Sequence, residues 1–310
     1  MKRSFLIIKY FYQSIIILLI FSSCYKKETL TSSNYNEFGY HVPQGNHDYD
    51  QRIVNYYNKW GVYVLYKFTQ QDINWKINSY DATYPSVPAD TNYIGKQLDL
   101  LDSTFFRFYQ DSTFKKYLPL RFFLCSSLIN SSKQVDAYGL SIAATTWAGY
   151  QCFAVNWGSS RILKLGSGTT NDSAVIFRGN VNFSFLKMLD LTGRIPKSTD
   201  FVALSDYSTA LAGSTNPYKY KRGFLSASIP SGTSPTSAQT DWYYYLNAAV
   251  TTTYANLTST STTATDGTYK GILSKVKDST GLINRKYNTM INYYKNNYNI
   301  DLQKIGNGAR

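Results

Sequence analysis

Residues 62–68 read VYVLYKF, a run of β-branched and aromatic residues that favours a β-strand. A helix is predicted directly before this strand, over residues 48–59. A second helix is predicted after it, over residues 92–109, because apolar residues recur there at three- and four-residue spacing and so share one face. The residues on that face are Ile94, Leu98, Leu101 and Phe105.

The remainder of the chain predicts two more strands and five more helices. The strands cover residues 118–128 and 138–157, and a turn near Ala148 interrupts the second. A Ser/Thr-rich stretch, residues 258–268, is predicted to be mobile. The helices cover residues 174–191, 200–207, 241–257, 269–277 and 283–298. The pattern predicts an α+β fold, in which a small mixed sheet is packed by helices and the chain ends in helices.

The N-terminus has the features of a bacterial lipoprotein signal. Three Lys and Arg residues supply positive charge, and residues 15–21 form an apolar segment that is too short to span a membrane. Two serines then precede Cys24. We therefore predict a signal peptide over residues 1–23 and a lipid such as palmitate on Cys24, which would hold the protein to a membrane. The alternative is an ordinary secretory signal in which Cys24 has no role.

The predicted mature chain consists of a tether and one domain. Residues 24–47 are polar and contain glycine, which predicts a flexible tether, and residues 48–310 form the predicted domain. Without residues 1–23, which hold three basic residues and no acidic one, the net charge falls from +13 to +10. The basic residues are dispersed, so we expect no nucleic-acid partner. The expected location is the cell envelope, lipid-anchored at the outer membrane, on either its periplasmic or its outer face.

Histidine and glutamate are confined to the N-terminal part of the chain. The sequence contains His41, His47, Glu28 and Glu37, and no residue from 48 to 310 is either type. The predicted domain therefore lacks the imidazole that a Ser-His-Asp or Cys-His site uses as its base. It also lacks the ligands and the base of an H-E-x-x-H zinc helix. We expect no metal and no other cofactor, and only Asp, Lys and Tyr remain for acid–base chemistry.

Two cysteines other than Cys24 lie in apolar, strand-like runs. Cys125 ends the run RFFLC, and Cys152 lies in YQCFAV. These residues are either buried free thiols or, in an oxidising envelope compartment, partners in a disulfide.

Four short segments carry a family resemblance. These are YDQRI at residues 49–53, VYVLYK at 62–67, KYNTMI at 286–291 and YNIDL at 298–302. In their order and spacing they resemble a Bacteroidetes family of zinc-binding metallopeptidase lipoproteins, over nearly the whole mature chain. The resemblance implies a single zincin-like metallopeptidase domain.

The resemblance also identifies the positions where catalytic residues would stand. The family's central helix carries H-E-F-x-H, and the matching segment here is VNFSFL at residues 181–186. Val181 and Phe185 stand where the two metal ligands belong, and Asn182 stands where the base belongs. Further on, Asp241 is the one residue kept from an acidic motif. The resemblance therefore implies a pseudoenzyme that keeps the fold without the zinc site.

Two functions are consistent with these features. The leading hypothesis is a non-catalytic lipoprotein that binds a polymer, such as a polysaccharide, or an outer membrane partner. Trp242, Tyr243 and Tyr244 are predicted to form an aromatic binding surface, because aromatic rings suit sugar or peptide ligands. The alternative is a hydrolase of another class that uses paired carboxylates, such as Asp99 and Asp102 on the helix at 92–109.

Overall fold

A small mixed sheet lies at the centre of the computed structural model, which describes residues 39–74, 86–128, 146–165, 174–226 and 231–308. Its order is β1-β3-β5-β4, and β2 also pairs with β3. The first and fifth strands run parallel to β3, whereas β2 and β4 are antiparallel to their partners. The strands are β1 (Tyr63–Leu65), β2 (Ser86–Pro88), β3 (Arg121–Leu128), β4 (Thr146–Gly149) and β5 (Cys152–Val155).

Helices surround this sheet and form the C-terminal half of the described chain. They are α1 (Asp50–Trp60), α2 (Gln70–Ile73), α3 (Ile94–Thr104), α4 (Asp111–Tyr117), α5 (Ala174–Leu191), α6 (Thr199–Ala203), α7 (Asn216–Lys221), α8 (Ala238–Thr251), α9 (Tyr254–Leu257), α10 (Leu282–Tyr298) and α11 (Leu302–Asn307). Among the described helices, none combines the length and the apolar content that crossing a membrane requires. The predicted α+β architecture is confirmed.

An aromatic core joins the sheet to the helices. Phe122 of β3 pairs in register with Phe153 of β5, and both rings lie near Phe105, which follows α3. The predicted apolar face of α3 is confirmed, because its residues and Phe105 are all fully buried. Helix α5 packs against both the sheet and α8, and α11 packs on α8.

Most of the predicted elements correspond to observed ones, with one clear exception. Helix α5 has the predicted bounds. The prediction of a helix over residues 269–277 is wrong, because this segment forms turns. Gly271 has a φ of +72°, outside the helical region, and a Cβ at this position would lie 2.6 Å from the carbonyl oxygen of Ser259. Residues 138–145 of the second predicted strand lie outside the described residues.

The compact unit that contains the sheet begins seven residues before the predicted domain, at His41. One unit extends from His41 to Arg310, so residues 41–47 belong to it and not to a separate tether. The Gln44 side chain accepts the N–H of Tyr66 at 2.7 Å and donates to the carbonyl of Lys67 at 2.7 Å. His47 Nδ1 lies 3.1 Å from Asp50 Oδ2. The unit therefore includes two imidazoles at its N-terminal edge, those of His41 and His47, although residues 48–310 contain none.

The two core cysteines do not form a disulfide. Cys125 and Cys152 are both buried and are not bonded to each other. Burial raises the pKa of the Cys125 thiol well above its usual value. Of the two alternatives left open by the sequence, the structure therefore has the buried thiols.

Candidate functional site

The face of α5 that would carry metal ligands points into the core. Val181 and Phe185 lie one helical turn apart, and both are fully buried. The Phe185 ring centre is 5.2 Å from that of Phe105 and 5.4 Å from that of Tyr109. Neither Val181 nor Phe185 has a lone pair to offer a metal, so this face contributes apolar packing only.

Asn182 has its hydrogen-bonding groups occupied by core partners. Its Oδ1 accepts the hydroxyl of Tyr109 at 2.8 Å. Its Nδ2 donates to the carbonyls of Thr104 at 2.9 Å and Arg178 at 2.8 Å. The side chain thus ties the middle of α5 to the end of α3, and its amide cannot take up a proton as a catalytic base would.

These residues do not fit a zinc ion. Zinc in proteins is bound by Cys, His and carboxylate side chains, and a catalytic site needs three of them around an open position. Over the ranges that the structure describes, no group of three His, Cys, Asp or Glu side chains comes together. No catalytic step through a metal can therefore be derived from the described part of this chain.

Asp241 is held by a lysine. It begins the buried face of α8, and its Oδ2 accepts the Tyr207 hydroxyl at 2.8 Å and a hydrogen bond from Lys286 Nζ of α10. The side chains of Asp241 and Lys286 are both fully buried. Burial raises the pKa of the Asp241 carboxyl, while burial lowers the pKa of the Lys286 amine. The carboxyl retained from the acidic motif is therefore engaged inside the protein.

The predicted aromatic surface is only partly at the surface. Trp242 is fully buried, stacked on Tyr294 and edge-on to Phe201, so its placement in a binding surface was wrong. The reason is helical periodicity, because residue 242 shares the inner face of α8 with the buried residues 245, 246 and 249. Tyr243 and Tyr244 are partly exposed.

A partly exposed face of α5 contacts Tyr243 of α8. Phe183 and Lys187 follow Val181 and Phe185 by two residues each, which is about 200° around the helix axis, and both are partly exposed. The Phe183 and Tyr243 rings lie at 90° with centres 6.5 Å apart. Lys187 Nζ is 4.7 Å from the centre of the Tyr243 ring. We call Phe183, Lys187 and Tyr243 the α5–α8 patch.

A buried carboxylate fixes the orientation of Tyr243 in this patch. Asp190, near the end of α5, accepts the Tyr243 hydroxyl at 2.7 Å and the N–H of Lys197 at 3.0 Å. It also accepts a hydrogen bond from Gln239 Nε2. Burial, with the hydrogen bond to Asp190, raises the pKa of Tyr243. The hydrogen bond to Asp190 therefore fixes the orientation of the Tyr243 ring.

Asp99 and Asp102 do not form an acid–base pair. Both carboxylates bind Arg52 of α1, with Nη1 2.7 Å from Asp99 Oδ1 and Nη2 2.5 Å from Asp102 Oδ2. Tyr56 also donates its hydroxyl to Asp102, at 2.7 Å. A paired-carboxylate mechanism needs one protonated and one ionised carboxyl facing a substrate. Here both carboxylates bind one guanidinium, which clamps α1 to α3 and does not support the alternative hydrolase.

Two site features were missed from the sequence. The contact between Phe183 and Lys187 has a local signal, because aromatic and Lys residues four apart on a helix are neighbours. The burial of Lys286 has no local signal in the sequence. The sequence predicts that Lys residues on the terminal helix face outward, as Lys295 does.

Comparison with known proteins gives three findings. A model of the family described as "Putative zinc-binding metallo-peptidase" matches residues 45–303. The solved structure of a putative zinc-binding metallo-peptidase from Bacteroides caccae is similar with 14% sequence identity and a TM-score of 0.45, over 83% of this chain and 87% of that one. No curated protein matches.

Replacing Asn182 by leucine is expected to destabilise the fold. The change leaves the buried Tyr109 hydroxyl and the Thr104 carbonyl without their Asn182 partner, so the free energy of unfolding should fall by about 2–4 kcal/mol. The matched control is N288L, on the exposed face of α10, which should change it by less than about 0.5 kcal/mol. Urea unfolding measures both, and equal effects would contradict a structural role for Asn182.

Proposed function

The chain belongs to the putative zinc-binding metallo-peptidase family, and we propose that it is a member without peptidase activity. In this proposal it is a cell-envelope lipoprotein whose domain binds a polymer or an outer membrane partner. One observation carries the proposal: the central helix has Val181, Asn182 and Phe185 at the motif positions, and all three are buried in the core.

The chemistry of those positions supports inactivity. A zinc peptidase polarises a water molecule on a metal that is open to the substrate, and a carboxylate accepts the proton of that water. Val181 and Phe185 cannot bind a metal, and the Asn182 amide is not a base. Asp241 is already paired with Lys286, so the described residues leave no free carboxylate at this place.

The N-terminal sequence supports attachment to a membrane. Acyl chains on Cys24 would each contribute about 0.8 kcal/mol per buried methylene, so two or more chains hold a soluble domain firmly. In this proposal the protein is anchored by lipid at the outer membrane.

The α5–α8 patch supports binding. Its two perpendicular rings offer apolar area, and the Lys187 ammonium offers hydrogen-bond donors beside them. This combination suits the apolar faces and hydroxyl edges of sugar units, and it also suits peptide segments. Asp190 holds Tyr243 in one orientation, which reduces the entropy lost on binding.

Metal content and proteolysis test the proposed inactivity. The purified protein should contain no stoichiometric zinc by elemental analysis and should not cleave casein. A chelator should leave its melting temperature unchanged, because the proposed protein holds no metal that the chelator could remove. Removal of a bound metal would lower the melting temperature. One tightly bound zinc per chain, or casein cleavage that a chelator abolishes, would contradict the proposal.

Membrane attachment tests the role of Cys24. C24A should lose incorporation of labelled palmitate, and the protein should move from the membrane fraction to the soluble fraction. The control S32A changes a nearby residue of the predicted tether and should stay in the membrane fraction. If C24A remains bound to membranes as firmly as S32A, the lipid anchor is wrong.

Binding to a polysaccharide array and to solubilised outer membrane proteins tests the patch. For any ligand detected, Y243A should weaken affinity about tenfold or more, because truncating a central aromatic contact typically costs more than 1 kcal/mol. The control is Y218A, which removes an exposed tyrosine of α7 and should keep the affinity. Equal affinities of Y243A and the wild type, at equal thermal stability, would place the binding site elsewhere.

A further inference from the structure

Lys286 lies in a closed aromatic chamber. Its Nζ is 4.8 Å from the ring centres of Phe201 and Phe224 and 4.9 Å from that of Tyr245. The side chain is fully buried, and its polar contacts are the carbonyl of Gly223, at 2.8 Å, and the carboxyl of Asp241. The lysine amine and the carboxyl therefore meet in an enclosed, apolar space.

The hydrogen bonds around this pair are too few for two ions. A carboxylate can accept about four hydrogen bonds and an ammonium donates three. Asp241 Oδ2 accepts from Tyr207 and Lys286, while Oδ1, although buried, has no hydrogen-bond partner among the described residues. Lys286 has two oxygen acceptors. A buried carboxylate with an unpartnered oxygen is costly, so this chamber disfavours the ionised form of Asp241.

We propose that Lys286 and Asp241 condense to an isopeptide bond, a covalent amide between their side chains that joins α10 to α8. The amide needs one acceptor for its N–H and one donor for its carbonyl oxygen. Gly223 already accepts from Nζ, and Tyr207 already donates to Oδ2. The oxygen that would leave, Oδ1, is the one without a partner.

The reaction needs no external reagent. A proton passes from the ammonium to the carboxylate, which gives a neutral amine and a carboxylic acid. The Nζ lone pair then attacks Cγ, and the hydrogen bond from Tyr207 stabilises the negative charge that develops on Oδ2. Nζ transfers a second proton to the protonated Oδ1, the Cγ–Oδ1 bond breaks, and one water molecule leaves. The products are the amide and water.

Enclosure favours this condensation in two ways, by lowering its barrier and by excluding water. In bulk water, amide formation from an amine and an acid is opposed by the abundance of water and by the charges of both reactants. Reacting groups that a fold holds together can reach effective concentrations of about 10⁵–10⁸ M, and the aromatic walls exclude water. Burial also shifts the pKa values of Asp241 upward and of Lys286 downward, and both shifts favour the neutral reactants.

Peptide mapping of the full-length protein tests the bond. Trypsin should leave peptide 223–270, which contains Asp241, joined to peptide 286–295, which begins at Lys286. The pair should weigh less than the sum of its parts by one water molecule, and trypsin should not cleave after the acylated Lys286. Recovery of the two peptides separately from the wild-type protein would overturn the proposal without the need for any variant.

Variants define which groups are required. D241A and K286M should yield only separate peptides, and Y207F should yield a smaller linked fraction because the hydrogen bond to Oδ2 is lost. The control is K277M, which changes another buried lysine; Lys277 lies 3.5 Å from the partly exposed Asp266. K277M should keep the link between 241 and 286 at the wild-type level. A linked pair in K286M would assign the bond to another lysine and contradict the proposal.

Discussion

The packing of one face of α5 against the aromatic core is the interaction on which the rest of the structure depends. Val181 and Phe185 supply this face, and Phe105 connects it to the sheet through Phe122 and Phe153. Close-packed interiors leave no room for a metal and its water. A helix that presented imidazoles at positions 181 and 185 would need an open cleft beside it. The apolar residues at these positions instead allow the core to close around them.

Buried Lys and Arg side chains in this chain donate to backbone carbonyl groups. The chain has 32 basic residues against 19 acidic ones, so many cations cannot find a carboxylate. Several buried cations donate to backbone carbonyls: Arg121 to Asp72 and Tyr150, Lys219 to Ser226, and Lys277, which also lies 3.5 Å from Asp266, to Thr268. These contacts hold helix α2 and the irregular segments at Tyr150, Ser226 and Thr268 in place. The basic composition therefore stabilises irregular segments as well as keeping the surface charged.

Elements with a strong apolar period could be predicted from the sequence, and individual side-chain environments could not. The bounds of α5 and the inner face of α3 follow from local pattern. The predicted helix over residues 269–277 fails because Gly271 has a positive φ and its N–H donates to the carbonyl of Asn256, outside the predicted helix. Trp242 and Lys286 are buried by packing between helices that are distant in sequence. The local sequence pattern of a polar helix does not show which of its sides another helix will cover.

The two faces of α5 divide the roles of the domain. The inward face, at positions 181 and 185, holds the core together and has no chemistry to offer a substrate. The outward face, at positions 183 and 187, meets Tyr243 of α8 and remains accessible. Because the ligand face of α5 is packed in the core, the opposite face is the side of this helix that remains accessible, in agreement with the proposed binding function. The rigidity that the sealed face supplies is what a preformed binding surface requires.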